Sequence, residues 1–278
     1  MHAERICRTG KEREDRMLTF LMIGAHPDDM DLCCGGLAVR LQASGHRVIF
    51  LSMTNGNAGH MTMQPEELRA CRLAEMTAAA EAFGGIRYET MDINDGYRTA
   101  DIATRDRLIR YIRKEKPDVI ITHRSCDYHP DHRACGQLVM DCSYLVGVPL
   151  ICPEAEALRH PPVILLCEDS FTCPAPFRAD IGVPLDAVID QKIQGVLCHR
   201  SQFFEWLAYD GHWDDVLNAR TEEEAAGHLK RRLSARFSKP VQRFPSAFPE
   251  GVSYGEVFQI DEYGGPMTDT IRAAMTGK

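Results

Sequence analysis

The run Met17-Leu-Thr-Phe-Leu-Met-Ile-Gly-Ala25 carries no charge, and His26-Pro27-Asp28-Asp29-Met30-Asp31 follows it at once. An apolar run of that length without alternation suits a strand buried on both faces, as in a parallel sheet. Working outward, RVIFLSMT (47–54) reads as a second strand, IRYETMD (86–92) as a third, DVIITH (118–123) as a fourth and VILLCE (163–168) as a fifth. Helices are expected between them: from about Gly35 to Ser44, from Pro65 through Phe83, and over 101–115, where Pro117 stops the helix. A further helix is expected over 192–206, because Lys192, Val196, His199, Phe203 and Trp206 recur on one face. This alternation predicts a Rossmann-like, doubly wound, mostly parallel α/β sheet with right-handed crossovers. One domain over 17–278 is expected, with a polar extension over 1–16 and an irregular, proline-rich C-terminal segment that wraps the surface.

Composition narrows the function classes. The chain has 278 residues, 44% of them hydrophobic, and a formal charge of −8. That acidity argues against nucleic acid or anionic lipid as partners, since a phosphate backbone calls for a basic face. No apolar run is long enough for a membrane anchor, and residues 1–16 lack the apolar middle of a secretory signal. The eleven cysteines are scattered without a framework pattern, as expected of reduced thiols in a cytoplasmic protein. Assembly state is left open by the sequence.

A second loop repeats the chemistry of the first. Asp127-Tyr128-His129-Pro130-Asp131-His132 stands just past the fourth strand, about a hundred residues after His26. Ligands of an open α/β sheet bind outside the carboxyl ends of strands, where strand order reverses. For a 3-2-1-4-5 order that point lies between strands one and four, so the two loops are expected to meet there. A dinucleotide site would need glycines after strand one, whereas three aspartates there would repel pyrophosphate. Imidazole and carboxylate donors together suit zinc, and an open coordination position would make the site a metal hydrolase.

These residues also resemble a known family. His26-Pro27-Asp28-Asp29, Asp31 and Gly35-Gly36 look like the first motif of the PIG-L/LmbE-like deacetylases, and Asp127-x-His129-Pro130-Asp131-His132 looks like the second. Weaker echoes lie in Thr54–Gly59, Arg72 with Glu75, Asp95-Gly96, and Lys192…His199-x-Ser201-Gln202. The resemblance implies one zinc per chain, held by His26, Asp29 and His132, with Asp28 as general base. It further implies that His129, oriented by Asp131, stabilises the oxyanion or protonates the leaving amine. The implied substrate is a small N-acetylated molecule of the amino-sugar type. Asn57 and Asp95 are expected to contact it, and His199 and Gln202 to stand behind the ligands. Two departures concern substrate fit: Asp31 where many members have Glu, and Gly195 where Ala is common.

Plainer readings compete residue by residue. His123 ends strand four and reads as a satisfied, partly buried histidine; Cys33-Cys34 read as packing beneath the first loop. Three other functions use similar residues. A non-haem iron oxygenase also uses two His and one carboxylate, but on a β-barrel as a rule. A metal phosphoesterase more often gathers acidic ligands for two ions. An inactive metal- or sugar-binding module would have no need of Asp28, His129 and Asp131.

Overall fold

The computed structural model describes residues 16–97 and 99–277. The expected N-terminal extension, apart from Arg16, lies outside the described residues, as does Arg98. The strands are β1 (Thr19–Gly24), β2 (Arg47–Thr54), β3 (Arg87–Ile93), β4 (Val119–Thr122), β5 (Val163–Cys167), β6 (Ile181–Pro184) and β7 (Gly255–Ile260). They form one sheet of order β3-β2-β1-β4-β5-β7-β6. Strands β1 to β5 pair in parallel, and β7 runs antiparallel between β5 and β6. The reversal expected between the first and fourth strands is therefore present, with β1 flanked by β2 and β4.

The uncharged runs follow from this placement. Phe20 and Met22 of β1 enter one core cluster and Leu21 and Ile23 the opposite one, so both faces of the strand are covered by apolar side chains. The covering helices are α1 (Asp29–Ala43), α2 (Pro65–Ala82), α3 (Ile102–Glu115), α4 (Pro130–Leu145) and α5 (Ile189–Leu197). Asp101 caps α3 by accepting the Thr104 N–H at 2.9 Å. Beyond α5 come a π-helical turn (Ser201–Trp206), the short helices α6 (Leu207–Asp210) and α7 (Asp214–Leu217), and then α8 (Glu222–Arg243) and α9 (Asp269–Thr276).

Three expectations need correction. Helix α1 begins at Asp29, six residues before the expected start at Gly35, and its backbone breaks at Cys34 (φ −145°). The 192–206 helix is interrupted, because Glu75 of α2 accepts both the Ser201 N–H (2.6 Å) and its hydroxyl (2.8 Å) where the chain passes into the π turn. The C-terminal segment is regular: α8 packs Leu229, Leu233 and Phe237 against Ile193 and Val196 of α5, and β7 completes the sheet. Pro240 lies in the last turns of α8 and Pro245 in the short turn that follows it. Among the described residues, no helix is long and apolar enough to cross a membrane.

Candidate metal and active site

Both loops are held at the ends of adjacent strands by local packing. Gly24 closes β1 where a Cβ would stand 2.9 Å from the Asp29 Cβ, so only glycine allows the first turn of α1 so close to the strand. On the other side, His129 begins α4 by accepting the Asp131 N–H at 3.2 Å, and Pro130 takes the first helical position. The two helix starts thereby bring their His and Asp side chains face to face.

His26, Asp29 and His132 bring candidate ligand atoms close together. His26 Nδ1 lies 3.2 Å from His132 Nε2 and 3.5 Å from Asp29 Oδ2, and His132 Nε2 lies 3.4 Å from Asp29 Oδ1. Ligands about 2.0–2.2 Å from a tetrahedral zinc stand roughly 3.3–3.6 Å apart, and the two imidazole nitrogens, each facing a different oxygen of Asp29, lie near that spacing. The electrostatics point the same way. Burial opposes a charge on His26, but Asp131, Asp29 and Asp95 outweigh it and raise the ring well above the usual histidine range. Burial likewise opposes a charge on His132, yet Asp29 and Asp127 carry it up to about 10. Asp29 is held well below the carboxylate range, since His132 and His123 overcome its burial. The same carboxylates that favour positive charge on these rings would also favour a dication held between His26 Nδ1 and His132 Nε2, which lie 3.2 Å apart.

Asp28 occupies a different environment. Its backbone is left-handed (φ 112°), a region that L residues other than glycine rarely enter. Arg72 reaches it from α2, with Nη2 on the Pro27 carbonyl and 3.2 Å from Asp28 Oδ2. Burial pushes the Asp28 carboxyl above its ordinary value against the pull of Arg72.

The remaining expected residues fall nearby, and one relationship is corrected. Asp131 does not orient His129 through its carboxylate. That carboxylate accepts the Gly96 N–H at 2.7 Å and stands 3.4 Å from His26 Nε2, so it serves His26, and His129 meets only the Asp131 backbone. Because His129 Nδ1 accepts a hydrogen bond, and burial with His26 and His132 lowers its pKa, the ring is neutral with its proton on Nε2. A protonated His129 held by Asp131 is not what the geometry provides.

Asp95 lies 2.8 Å from His26 Nε2, although the pair is not aligned as a hydrogen bond. Asn57 is buried and spans the same loop, donating to Asn94 Oδ1 (3.1 Å) and accepting the Asp95 N–H (3.0 Å). His199 is fully buried 2.8 Å from Asp31 Oδ1, and Gln202 sits by the Gly59 turn. His123, read from sequence as an ordinary buried histidine, stacks on His132 with ring centroids 4.2 Å apart and touches Asp29 Oδ2 at 3.1 Å. Its place at the end of β4, the strand beside β1, was the available signal.

Comparison with known proteins agrees with this arrangement. The PIG-L family model, described as GlcNAc-PI de-N-acetylase, matches residues 21–143. The chain is 29% identical over 191 residues to a diacetylchitobiose deacetylase from Thermococcus kodakarensis, covering 66% of this chain and 70% of that one. It is also 24% identical over 211 residues to a 4-oxalmesaconate hydratase from Pseudomonas putida, covering 73% of this chain and 81% of that one. In fold it is similar to the N,N'-diacetylchitobiose deacetylase of Pyrococcus horikoshii, with a TM-score of 0.72, 21% identity, and coverage of 91% of this chain and 87% of that one. The two His/Asp loops that meet at the β1–β4 reversal both lie within residues 21–143, the segment over which the chain is similar to the PIG-L family.

Proposed function

We propose that the chain is a zinc-dependent N-deacetylase acting on a small N-acetylated amino sugar of the N-acetylglucosamine type or its conjugate. The observation that carries this reading is the His26–Asp29–His132 triangle beside a buried, strained aspartate. His26, Asp29 and His132 would hold one zinc, with Asp95 and Asp131 behind His26 and Asp127, 3.1 Å from His132 Nδ1, behind His132. When bound, the ion supplies Lewis-acid polarisation of the acetamide carbonyl and lowers the pKa of a water toward ~7.

The protein's own groups do the rest. Asp28 accepts a proton from the attacking water as the new carbon–oxygen bond forms. The Nε2–H of neutral His129 donates to the carbonyl oxygen as it gains negative charge. The proton held by Asp28 passes to the amine nitrogen, the carbon–nitrogen bond breaks, and acetate leaves with a free amine. Raised basicity in Asp28 favours the first transfer, and the Arg72 contact keeps the carboxylate in place. Support for the sugar class comes from the diacetylchitobiose deacetylase of Thermococcus kodakarensis and from the family description. The test is metal content by mass spectrometry alongside acetate release. About one zinc per chain, lost in His132→Ala together with the activity, supports the reading. A protein that binds no zinc after reconstitution contradicts it.

A further inference from the structure

Tyr88 belongs to β3, two strands away from β1, yet its hydroxyl reaches the first loop. The ring packs edge-on against Phe50 of β2, centroids 5.3 Å apart, and this contact directs it under the start of α1. There the hydroxyl accepts the Asp28 N–H at 2.9 Å and donates to Asp31 Oδ2 at 2.7 Å. The other Asp31 oxygen lies 2.8 Å from His199 Nε2, and neither of these side chains has any exposed surface. A continuous chain of contacts thus runs from His199 through Asp31 and Tyr88 to the backbone of Asp28.

The restraint falls where the backbone needs it. Asp28 precedes the first residue of α1, its φ is 112°, and no side chain caps that helix. A non-glycine residue in this region persists only where its surroundings over-determine it. Arg72 holds the Pro27 carbonyl and the Asp28 carboxylate, and the Asp28 N–H has the Tyr88 oxygen. We propose that Tyr88 is a positioning residue for Asp28. Its hydroxyl, anchored by Asp31 and His199, fixes the left-handed turn that presents the Asp28 carboxylate to the His26–Asp29–His132 triangle. The proposal rests on reading Asp28 as the base of an N-deacetylase.

The decisive experiment is the zinc-loaded Tyr88→Phe variant, assayed for acetate release and solved by crystallography. The hydroxyl alone is removed, so the ring packing on Phe50 stays. The expected result is a kcat about 10- to 100-fold lower, because a small misplacement of the base suffices for such a loss. KM should stay within about twofold, the metal content should be unchanged, and the shape of the pH profile should be the same. Asp31→Leu should show the same split. The double variant should lose no more than either single one, since both break one chain of contacts. In the crystal structure of Tyr88→Phe, Asp28 should leave the left-handed region.

A wild-type kcat in both single variants overturns the proposal. So does a loss of zinc in step with activity, which would place Tyr88 with the metal and not with the base. If the zinc-loaded parent releases no acetate, the deacetylase reading fails. The crystal structure then still decides the positioning role, and an unmoved Asp28 in Tyr88→Phe refutes it.

Discussion

Lys192 Nζ of α5 stands 2.7 Å from Glu256 Oε1 of β7, with both side chains buried. The pair sits where α1 breaks at Cys34: Glu256 accepts the Gly36 N–H (2.8 Å) and the Leu37 N–H (2.9 Å), and Lys192 donates to the Leu32 carbonyl (2.8 Å). The ion pair therefore supplies hydrogen bonds beside the break in the helix that starts at the metal loop. Removing one partner from a buried pair costs about 3–5 kcal/mol, so Glu256→Ala should lose about that much stability in chemical denaturation. Replacing both residues with apolar ones should give no recovery, because the backbone groups would still lack partners. A loss below about 1 kcal/mol in Glu256→Ala would contradict this role.

Asp28→Asn keeps the volume and removes the base. Metal content should stay at the wild-type level, while acetate release falls about 10²- to 10⁴-fold. Metal analysis and a product assay on the same preparation check both halves. Unchanged turnover would remove Asp28 from the mechanism.

The corrected partnership of Asp131 predicts that it and His129 fail differently. Asp131→Ala should weaken zinc binding by roughly 10- to 100-fold, because its carboxylate stands behind His26. His129→Ala should keep the metal and lose kcat. A competitive zinc titration distinguishes them, and equal zinc affinities in the two variants would restore the sequence-based pairing of Asp131 with His129.

Away from the site, Glu115 gives a pH prediction. Burial alone would raise its pKa, but Arg87, which it meets at 2.6 Å, and Arg47 hold it below the ordinary glutamate value. A depressed carboxylate contributes stability that is present above its unfolded pKa and lost as pH falls through its folded one. Wild type should therefore exceed Glu115→Gln in stability at neutral pH, and the gap should close at pH values below the ordinary glutamate range. Denaturation at several pH values measures it; a gap that widens in acid would contradict the assignment.

Much of this was legible in the sequence because it is local. Uncharged, mostly apolar runs such as 17–25 and 119–122 mark strands covered on both faces, and β1 and β4 lie within them. The topological rule then brings His26 and His132 together. What could not be read depends on side chains crossing between distant elements. Nothing in the pattern of β3 says that Tyr88 passes over Phe50 to reach Asp28. The pairing of Asp131 with His129, which the family resemblance implied, fails for the same reason, since the turn into α4 aims the carboxylate at His26. Gly195, which departs from the family's usual Ala, is explained by packing: a Cβ there would stand 2.3 Å from the Phe83 ring. The β7 strand was hidden because Glu256, a buried charge within it, breaks the apolar pattern that marks a core strand.

The most direct test of the central claim is the product stoichiometry of the zinc-reconstituted protein on N-acetylated amino sugars, diacetylchitobiose among them. The account predicts one acetate and one free amine for each amide consumed, with both lost in Asp28→Asn. No amine from any such sugar, together with hydration of 4-oxalmesaconate, would contradict it and align the chain's chemistry with the hydratase of Pseudomonas putida.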